Sequence, residues 1–374
     1  MVQQNIDTVA EKEDRKRSKS AKARRAPRPK VQLSVDKEAL KKLKLVAVAY
    51  SYLERDWFPT EEAYEAEREV ELRAAAVVEA LEGLGIHAKA YPGDQYFFTN
   101  LLVDDPDLVL NLVDTLRGKD SLQTSVPAAL ELANIPYTGA RMQGLVIGND
   151  RNLVKQLMVA NNLPTPAFQF IRRRGTKVDP ELGLPLIVKL NEGGGSVGID
   201  NLAVKESLED AQAKVDEMIS AYKLPVIVER FIDGGEITSI VFDDGQKRHV
   251  FVGQKKFGML PDGRHAFTSL ESYRNRNSYS YVPVEDTDLL DKVTKLSLKA
   301  FDALKFTDYG KFDIRVEDES CTPYFTDANP NTAFGPQHGL PMTEVLEDIY
   351  HVPFTTVLAS LISKYARKLE QEKG

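Results

Sequence analysis

The sequence predicts an α/β domain followed by a larger α+β body, and three observations support this prediction. Between residues 44 and 140, apolar strands alternate with helical segments, which is typical of a parallel sheet. Beyond residue 166, strands outnumber helices, which favours antiparallel sheets. A chain of 374 residues is also long enough for more than one hydrophobic core. We therefore expect domains at residues 44–140, 141–233 and 234–374, after a leader at residues 1–43.

The first domain shows strand and helix signals in alternation. An apolar strand is predicted at residues 44–50, and a helix at residues 67–84 ends at the helix-stopping sequence Gly83-Leu84-Gly85. A second apolar strand at residues 108–113 precedes a helix at residues 126–133. The carboxyl ends of parallel strands meet at one edge of a sheet, so we expect a ligand there.

The second body opens with a helix at residues 150–161 and is then dominated by strands. The predicted strands are residues 167–172, 186–190, 202–204, 226–231, 237–242, 250–255, 313–317 and 324–326. The predicted helices are residues 208–221, 288–304 and 353–370. Residues 258–281 lack a clear periodicity and are rich in Gly, Pro, Asn, Ser and Arg, so we expect a long active-site loop there.

The composition excludes several classes of protein. A composition of 42% hydrophobic and 28% charged residues is typical of a globular protein. No apolar run approaches the roughly 20 residues that a membrane span requires. The single cysteine, Cys321, excludes an internal disulfide. Residues 1–30 contain no apolar segment of the kind that signal peptides have. We therefore expect a cytoplasmic protein.

The leader differs in charge from the rest of the chain. Residues 1–30 carry ten Lys or Arg and four Asp or Glu, a charge of +6, which leaves −13 for the remainder of a chain whose net charge is −7. We expect a solvated, disordered leader. The alternative, a segment that contacts nucleic acid or another acidic surface, rests on these residues alone, and an acidic body argues against a nucleic-acid partner.

A metal motif lies near the end of the chain. It consists of Lys311-Phe312-Asp313-Ile314-Arg315 followed by Thr326-Asp327-Ala328-Asn329-Pro330-Asn331. Two carboxylates and an amide on neighbouring strands make an oxygen-rich site that suits Mg²⁺. Magnesium held by few protein oxygens and completed by phosphates indicates ATP chemistry.

Two further segments could bind a nucleotide. Asn191-Glu192-Gly193-Gly194-Gly195-Ser196-Val197-Gly198 follows the strand that carries Lys189, and its glycines would let backbone N–H groups approach a phosphate, although a plain turn is the alternative. It lacks the order of a Walker A loop. The strand that carries Glu229 could present backbone groups to adenine, and Glu236 beyond its glycine turn could accept from ribose hydroxyls, although both acids could also be ordinary surface residues.

Together these segments resemble the ATP-grasp superfamily, and within it the D-alanine:D-alanine ligase branch, over about residues 44–365. The matching motifs are Ala66-Glu67-Arg68-Glu69-Val70, Ile135-Pro136-Tyr137-Thr138-Gly139, Leu186-Ile187-Val188-Lys189 with Gly194-Gly195-Ser196-Val197-Gly198, Glu229 with Gly234-Gly235-Glu236, and Asp327-Ala328-Asn329. The resemblance implies an ATP-grasp fold, in which an N-terminal parallel α/β substrate domain precedes two α+β domains that clasp ATP. It also implies a homodimer.

The implied reaction is the ligation of a carboxylate to an amine through an acyl phosphate, with release of ADP and phosphate. Such a reaction needs charge neutralisation by Mg²⁺ and lysines more than it needs a protein nucleophile. Mn²⁺ is the alternative ion. The resemblance leaves two other readings open: a dipeptide or secondary-metabolite ligase with a different amino-acid substrate, and an ATP-binding regulatory protein with little turnover.

The resemblance implies a role for each matching residue. Lys189 and the glycine loop would hold the β- and γ-phosphates, Glu229 and its neighbours would bind adenine, and Glu236 would bind the ribose. The complete implied ATP site is Arg151, Lys189, Glu192, Gly194, Gly195, Ser196, Glu229, Arg230, Phe231, Ile232, Glu236 and, before the mobile loop, Lys255 or Lys256. The metal ligands would be Asp313, Asp327 and Asn329, and the catalytic residues Lys311, Ser196 and Glu69, of which Glu69 would hold the ammonium group of the first amino acid.

The chain departs from the family pattern at four places. Arg151 stands where a lysine is common, Lys311 where an arginine is common, and Asp327 where the metal ligand is a glutamate. At the fourth place, residues 329–334 replace a serine-rich stretch that receives the second substrate, and Asp114-Thr115 replaces a His-Gly pair. These departures affect the choice of substrate more than the chemistry.

Overall fold

The computed structural model describes residues 31–58, 60–193, 198–200, 202–257, 267–269 and 278–373. Residues 1–30, the glycine-loop residues 194–197 and most of the predicted active-site loop lie outside the described residues. The described chain forms three sheets, one parallel and two antiparallel, with helices packed on them. This arrangement confirms the predicted mixture of α/β and α+β architecture.

The first unit is a three-stranded parallel sheet with the strand order β2-β1-β3. Its elements in chain order are α1 (Lys37–Leu40), β1 (Val46–Tyr50), α2 (Glu61–Glu67), α3 (Val70–Gly83), β2 (Ala88–Pro92), α4 (Phe97–Asp104), β3 (Leu108–Leu112) and α5 (Ser125–Leu132). Val46 and Val48 pack with α3 on one face of the sheet, whereas Ala47 and Ala49 pack with α4 and α5 on the other. Covered on both faces, β1 is apolar throughout.

The N-terminal boundary of this unit differs from the prediction. Residues 31–43 belong to the folded body instead of to a leader, since Leu33 and Leu40 are buried in the same core as the C-terminal helix. The backbone N–H of Asp36 donates to Ser363 Oγ at 2.9 Å, and Lys42 pairs with Glu370 at 2.6 Å. The prediction placed this boundary at the first apolar strand, whereas packing against the C-terminal helix begins before that strand.

The second unit is a four-stranded antiparallel sheet with the strand order β4-β7-β5-β6. Its elements are α6 (Met142–Gly148), α7 (Arg151–Ala160), β4 (Phe168–Ile171), β5 (Leu186–Leu190), β6 (Val204–Lys205), α8 (Leu208–Tyr222) and β7 (Val226–Arg230). Val188 packs with α8 on one face. Because side chains alternate along a strand, Ile187 and Lys189 point to the opposite face.

The third unit is a five-stranded antiparallel sheet with the strand order β10-β9-β8-β11-β12. Its elements are β8 (Gly234–Asp243), β9 (Arg248–Phe257), β10 (Tyr279–Val282), α9 (Thr287–Ala303), β11 (Tyr309–Glu317), β12 (Pro323–Asn329), α10 (Pro341–Thr343) and α11 (Phe354–Lys373). A π-helical turn, Glu344–Ile349, lies between α10 and α11. The face that α9 covers contains Ile237, Val241 and Phe312, which leaves the other face for the core around α11 and for the candidate site.

No single helix in the described part of the chain is long and apolar enough to cross a membrane. The helical segments Pro341–Ile349 and Phe354–Glu372 meet the length and composition criteria only as a pair, and they are bent by 111°.

Candidate active site

The candidate site is built on β11, whose side chains alternate between the two faces of the sheet. Phe312 and Ile314 point into the core beneath α9. Lys311, Asp313 and Arg315 therefore share the opposite face, and Lys311 Nζ donates to Asp313 Oδ2 at 2.8 Å. A single strand thus supplies a row of three charged side chains.

Three side chains that carry oxygen meet where β11 pairs with β12. Asp313 lies opposite Asp327, and Lys311 opposite Asn329. Asn329 Nδ2 lies 3.5 Å from Asp313 Oδ2, and turning the amide about its last bond would aim the amide oxygen at the same point. Among the described residues no group of three or more His, Cys, Asp or Glu could hold a metal ion. Two carboxylates and one amide oxygen nevertheless fit Mg²⁺ whose remaining ligands are water or phosphate.

Arg151 connects this corner to the four-stranded sheet. Its Nη2 donates to Asp327 Oδ2 at 2.9 Å, and its Nη1 donates to Leu190 O at 2.8 Å. The helix start fixes its position, because Asp150 caps α7 by accepting from the backbone N–H of Leu153 at 2.9 Å. Burial opposes ionisation of Asp327, but Arg151 and Lys189 hold the pKa of this carboxyl below its ordinary value.

Two lysines from different elements converge on Glu229. Lys189 Nζ lies 3.3 Å and Lys155 Nζ 3.1 Å from Glu229 Oε2. Lys189 also donates to Thr326 O at 3.4 Å, which joins the four-stranded sheet to β12 of the five-stranded sheet. Burial lowers the pKa of Lys155 to about 8, although Glu229 opposes the shift. The carboxylate of Glu229 therefore orients both lysines, and its second oxygen makes no hydrogen bond within the described residues.

A second row of charges crosses β11, β8 and β9. Arg315 lies opposite Glu236, and Glu236 opposite Lys255. Lys255 Nζ donates to Glu236 Oε1 at 2.6 Å. Burial opposes ionisation, but Lys255 and Arg315 hold the pKa of Glu236 at about 2. Lys255 is buried in this row, whereas Lys256 points away from it and is exposed.

The first cavity of the site lies between the two antiparallel sheets. Its apolar wall includes Phe231 and Phe267, whose ring centroids lie 5.7 Å apart in an edge-to-face arrangement. Most of the residues predicted to bind ATP, to bind the metal or to act in catalysis line this cavity. They are Arg151, Lys189, Glu229, Arg230, Phe231, Ile232, Glu236, Lys255, Lys311, Asp313, Asp327 and Asn329. The structure thus brings together residues that are more than 170 positions apart in the sequence.

The second cavity adjoins the first and is rich in charge. Arg151, Lys311, Asp327 and Asn329 line both cavities, and the α/β domain adds Glu67, Arg73, Asp114 and Asp120 to the second. Arg73 is buried and its Nη1 donates to Asp114 Oδ2 at 3.1 Å. Burial, followed by the charges of Asp114 and Asp120, raises the pKa of Glu67 to about 8.

Glu69 does not take the position that the sequence predicts for it. The prediction has one continuous helix at residues 67–84, but the structure has two helices, α2 and α3, with a break at Arg68 and Glu69, whose backbone stays in the right-handed helical region. Glu69 lies in that break with an exposed side chain, and it is Glu67 that lines the second cavity.

Four predicted residues of the phosphate loop remain to be placed. Gly194, Gly195 and Ser196 lie outside the described residues. Glu192 is described, half-buried and not among the residues that line either cavity. Burial, followed by Asp150, raises the pKa of its carboxyl.

No role was predicted from the sequence for Lys155, Arg73 or Arg315, although Arg315 ends the first half of the metal motif, and two of the three had a detectable signal. Lys155 is four residues after Arg151, so both lie on the same face of α7. Arg315 is two residues after Asp313, so both lie on the same face of β11. For Arg73 the sequence shows only an arginine in a helix, because its partner Asp114 is 41 residues away.

Comparisons with known proteins agree on one family. A family model described as the C-terminus of D-Ala:D-Ala ligase matches residues 157–345. The D-alanine:D-alanine ligase of Polaromonas sp. is 26% identical over 286 residues, which are 74% of this chain and 81% of that protein. The enzyme of that name from Acinetobacter baumannii is 32% identical over 270 residues, which are 71% of this chain and 82% of that protein.

Solved structures of similar fold include two ligases. The structure of the D-alanine:D-alanine ligase from Bacillus anthracis complexed with ATP has a TM-score of 0.65 at 18% identity, and the match covers 88% of this chain and 99% of that one. The VanG D-Ala:D-Ser ligase from Enterococcus faecalis has a TM-score of 0.59 at 16% identity, with coverage of 86% and 99%. These matches confirm the predicted fold.

Proposed function

Because the chain belongs to the D-alanine:D-alanine ligase family, we propose that it joins two D-alanine molecules in a reaction that converts ATP to ADP and phosphate. The carboxylate of the first amino acid attacks the γ-phosphoryl group, which forms an acyl phosphate and ADP. The amine of the second amino acid then attacks the acyl carbon, which forms the peptide bond and releases phosphate. One observation carries the proposal: Lys189 reaches from one antiparallel sheet to the other, so its charge faces Asp313 and Asp327 in one cavity.

In this proposal ATP lies between the two antiparallel sheets. Phe231, with Arg230 and Ile232 beside it, forms the wall for the base, and Glu229 Oε1 accepts from the exocyclic amino group of adenine. Glu236 binds the ribose. For the phosphates we retain Arg151, Lys189, Lys255 and, on sequence grounds, Glu192, Gly194, Gly195 and Ser196.

Asp313, Asp327 and Asn329 are the residues that would hold Mg²⁺, with Mn²⁺ as the alternative. A bound ion of this kind neutralises the negative charge that gathers on the transferred phosphoryl group. Lys311 lies beside Asp313 and next to both cavities. Its positive charge would stabilise the oxyanion that forms when the amine attacks the acyl phosphate.

The amino acids occupy the second cavity in this proposal. We assign the ammonium group of the first amino acid to Glu67 in place of Glu69, since it is Glu67 that lines the cavity. An incoming cation would stabilise the ionised form of Glu67 and overcome the burial that holds its pKa near 8. We retain as proposals the homodimer, which the family resemblance implies, and the cytoplasmic location, which was predicted from the composition.

The test uses the purified full chain with ATP, Mg²⁺ and D-alanine. Phosphate release should depend on D-alanine and should accompany a product with the mass of the D-alanine dipeptide, whereas L-alanine should give neither. ATP hydrolysis without a dipeptide, or ATP binding without turnover for any pair of amino acids, would reject the proposal and leave a regulatory ATP-binding protein.

Asp114 favours a second candidate function, a ligase whose second amino acid is not D-alanine. Its carboxylate lies in the second cavity, where it pairs with Arg73 and replaces the usual His-Gly sequence of the family. A charge at this place changes which second amino acid binds well. The product should therefore be identified by mass spectrometry after incubation with a mixed pool of D- and L-amino acids. A mixed dipeptide as the main product would support this candidate.

A further inference from the structure

Arg315 is a charged residue of the first cavity to which the proposed function gives no role. The residue is only 5% exposed. Nε donates to Ile232 O at 2.5 Å and Nη2 donates to Gly234 O at 2.8 Å. The guanidinium group therefore stabilises the segment that connects β7 to β8. The guanidinium carbon lies 4.6 Å from the centroid of the Phe231 ring.

The third nitrogen of the group has a different environment. Arg315 Nη1 is buried, makes no hydrogen bond to any described residue, and lies 3.5 Å from Glu236 Oε2. Glu236 Oε1 accepts from Lys255 and from Thr268 Oγ1, whereas Oε2 accepts from the backbone N–H of Thr268 at 3.1 Å. A carboxylate oxygen accepts at two positions, and hydrogen bonds from the described residues occupy one of the two positions of Oε2. A buried N–H without an acceptor costs free energy, which a ligand atom at this point would recover.

The chemistry of this point selects the ligand group. A donor nitrogen and an acceptor oxygen 3.5 Å apart match a hydroxyl, which both donates and accepts. A phosphate matches poorly because the carboxylate of Glu236 would repel it. Along β11, Arg315 lies two residues beyond Asp313 and four beyond Lys311, which are distances of roughly 7 and 13 Å. The sugar of a nucleotide whose phosphates lie at Lys311 and Asp313 can reach this point.

We propose that Arg315 determines nucleotide specificity, because Arg315 Nη1 and Glu236 Oε2 bind one ribose hydroxyl between them. The hydroxyl donates to Glu236 and accepts from Arg315. The proposal rests on the proposed function for the position of ATP, and it adds a residue that recognises the ribose. Arg315 also holds the connection between the two sheets, so the test must separate recognition of the hydroxyl from support of the fold.

The test compares the binding of ATP, 2′-deoxy-ATP and 3′-deoxy-ATP to the full chain by calorimetry in the presence of Mg²⁺. In the unaltered protein, one of the two deoxynucleotides should bind about tenfold more weakly than ATP, since a hydrogen bond to a charged group is lost. In Arg315→Met, ATP should bind about tenfold more weakly, and the ratio between ATP and that deoxynucleotide should fall to near one. Arg315→Lys keeps the charge but lacks Nη1, so it should lose the ratio as well.

Two results would overturn this proposal. The first is that ATP and both deoxynucleotides bind equally well to the unaltered protein. The second is that all affinities fall together in Arg315→Met and Arg315→Lys while the ratio between ATP and the weaker deoxynucleotide persists, which is the result expected of a purely structural role. Arg248→Met is the matched control, because Arg248 also has an acidic partner, Asp302 at 2.6 Å, and lies over Phe301, but it does not line either cavity. Because only nucleotide binding is measured, an absence of dipeptide synthesis would reject the proposed function without deciding the role of Arg315.

Discussion

At the scale of single residues, the carboxylates proposed to bind metal already have cation partners. Lys311 lies 2.8 Å from Asp313, and Arg151 lies 2.9 Å from Asp327. These pairs favour the ionised carboxylates before any ligand arrives. When a metal ion takes over a carboxylate, its former partner cation becomes available to a phosphate, so binding exchanges charge partners without leaving a buried charge unpaired.

The first prediction concerns Glu67 and pH. Because the folded protein holds the proton of Glu67 up to a pKa of about 8, the ionised fraction should rise about fivefold between pH 7 and pH 8. The affinity for D-alanine, measured by calorimetry with a non-hydrolysable ATP analogue, should rise in proportion. The free protein should lose stability over the range from the ordinary carboxyl pKa to pH 8, since the unfolded state binds fewer protons there.

Glu67→Gln should bind D-alanine weakly at every pH and show no rise between pH 7 and pH 8. Glu69→Gln is the contrast, because that side chain is exposed and it should keep the pH dependence of the unaltered protein. If Glu69→Gln loses the rise and Glu67→Gln keeps it, the assignment of the ammonium site to Glu67 is wrong.

The second prediction concerns Asp313. Asp313→Asn keeps the shape of the side chain but removes the negative charge of a proposed metal ligand, so turnover should fall by more than about 100-fold. The partly exposed pair with Lys311 is worth only about 1 kcal/mol, so the melting temperature should fall by no more than a few degrees. Asp302→Asn removes a more exposed pair with Arg248 outside the site and should leave turnover unchanged. A loss of turnover that follows the loss of stability in both variants would argue against the metal role.

At the scale of elements, the polar face of β11 could be predicted from the sequence, but the strands that pair with β11 and their register could not. The alternation of Lys311, Asp313 and Arg315 with apolar residues is visible in the sequence and predicts one polar face. The register that sets Arg315 opposite Glu236 depends on pairing between strands 79 residues apart, which no local pattern encodes. For this reason both acids of the metal motif could be predicted from the sequence, whereas it could not be predicted which of Lys255 and Lys256 faces the site.

The helix pattern around Glu67 shows a different limit. In a continuous helix, residues two positions apart point to different sides, so only one of Glu67 and Glu69 could face a ligand, and the motif does not say which. The structure distinguishes the two, because Glu67 lines the second cavity and Glu69 is exposed. No glycine or proline marks the break between α2 and α3 in the sequence.

The third prediction concerns the start of α7. Asp150→Ala removes the N-cap and should cost about 1 kcal/mol in the free energy of unfolding, measured with urea. It also removes the bond from Asn191 Nδ2 at 3.0 Å, so Arg151 should lose its fixed position and the KM for ATP should rise severalfold. Ser207→Ala is the matched control, because Ser207 caps α8 away from the cavities and should show the same loss of stability with an unchanged KM. Equal KM values in the two variants would show that the start of α7 does not position Arg151.

At the scale of the whole molecule, buried polar contacts join the α/β domain to the C-terminal sheet. Asp308 Oδ2 accepts from the backbone N–H of Gly139 at 2.7 Å and from Tyr365 Oη at 2.6 Å, and Oδ1 accepts from Lys364 Nζ at 2.8 Å. The motif that ends in Gly139 was predictive of the family, but its physical role depends on a partner 169 residues away. The sequence could therefore predict the fold of each unit better than the contacts between units.

The last prediction concerns the N-terminal boundary, where the predicted start of the first domain at residue 44 and the observed packing disagree. A chain that begins at residue 31 keeps the buried side chains of Leu33 and Leu40, whereas a chain that begins at residue 44 exposes the part of α11 that they cover. Each fully buried leucine contributes roughly 1.5–3 kcal/mol, and the longer deletion also removes the bond between Ser34 N–H and Asp244 Oδ2 at 3.1 Å.

Deleting residues 1–30 should therefore leave turnover and the melting temperature nearly unchanged, whereas deleting residues 1–43 should lower the melting temperature by about 5 °C or more. Calorimetric melting of the two truncated chains beside the full chain measures the difference. If both deletions leave the melting temperature unchanged, residues 31–43 do not stabilise the fold, and the predicted boundary at residue 44 is the correct one. If deleting residues 1–30 alone abolishes turnover, the basic segment takes part in function, because the packing of Leu33 and Leu40 is intact in that chain.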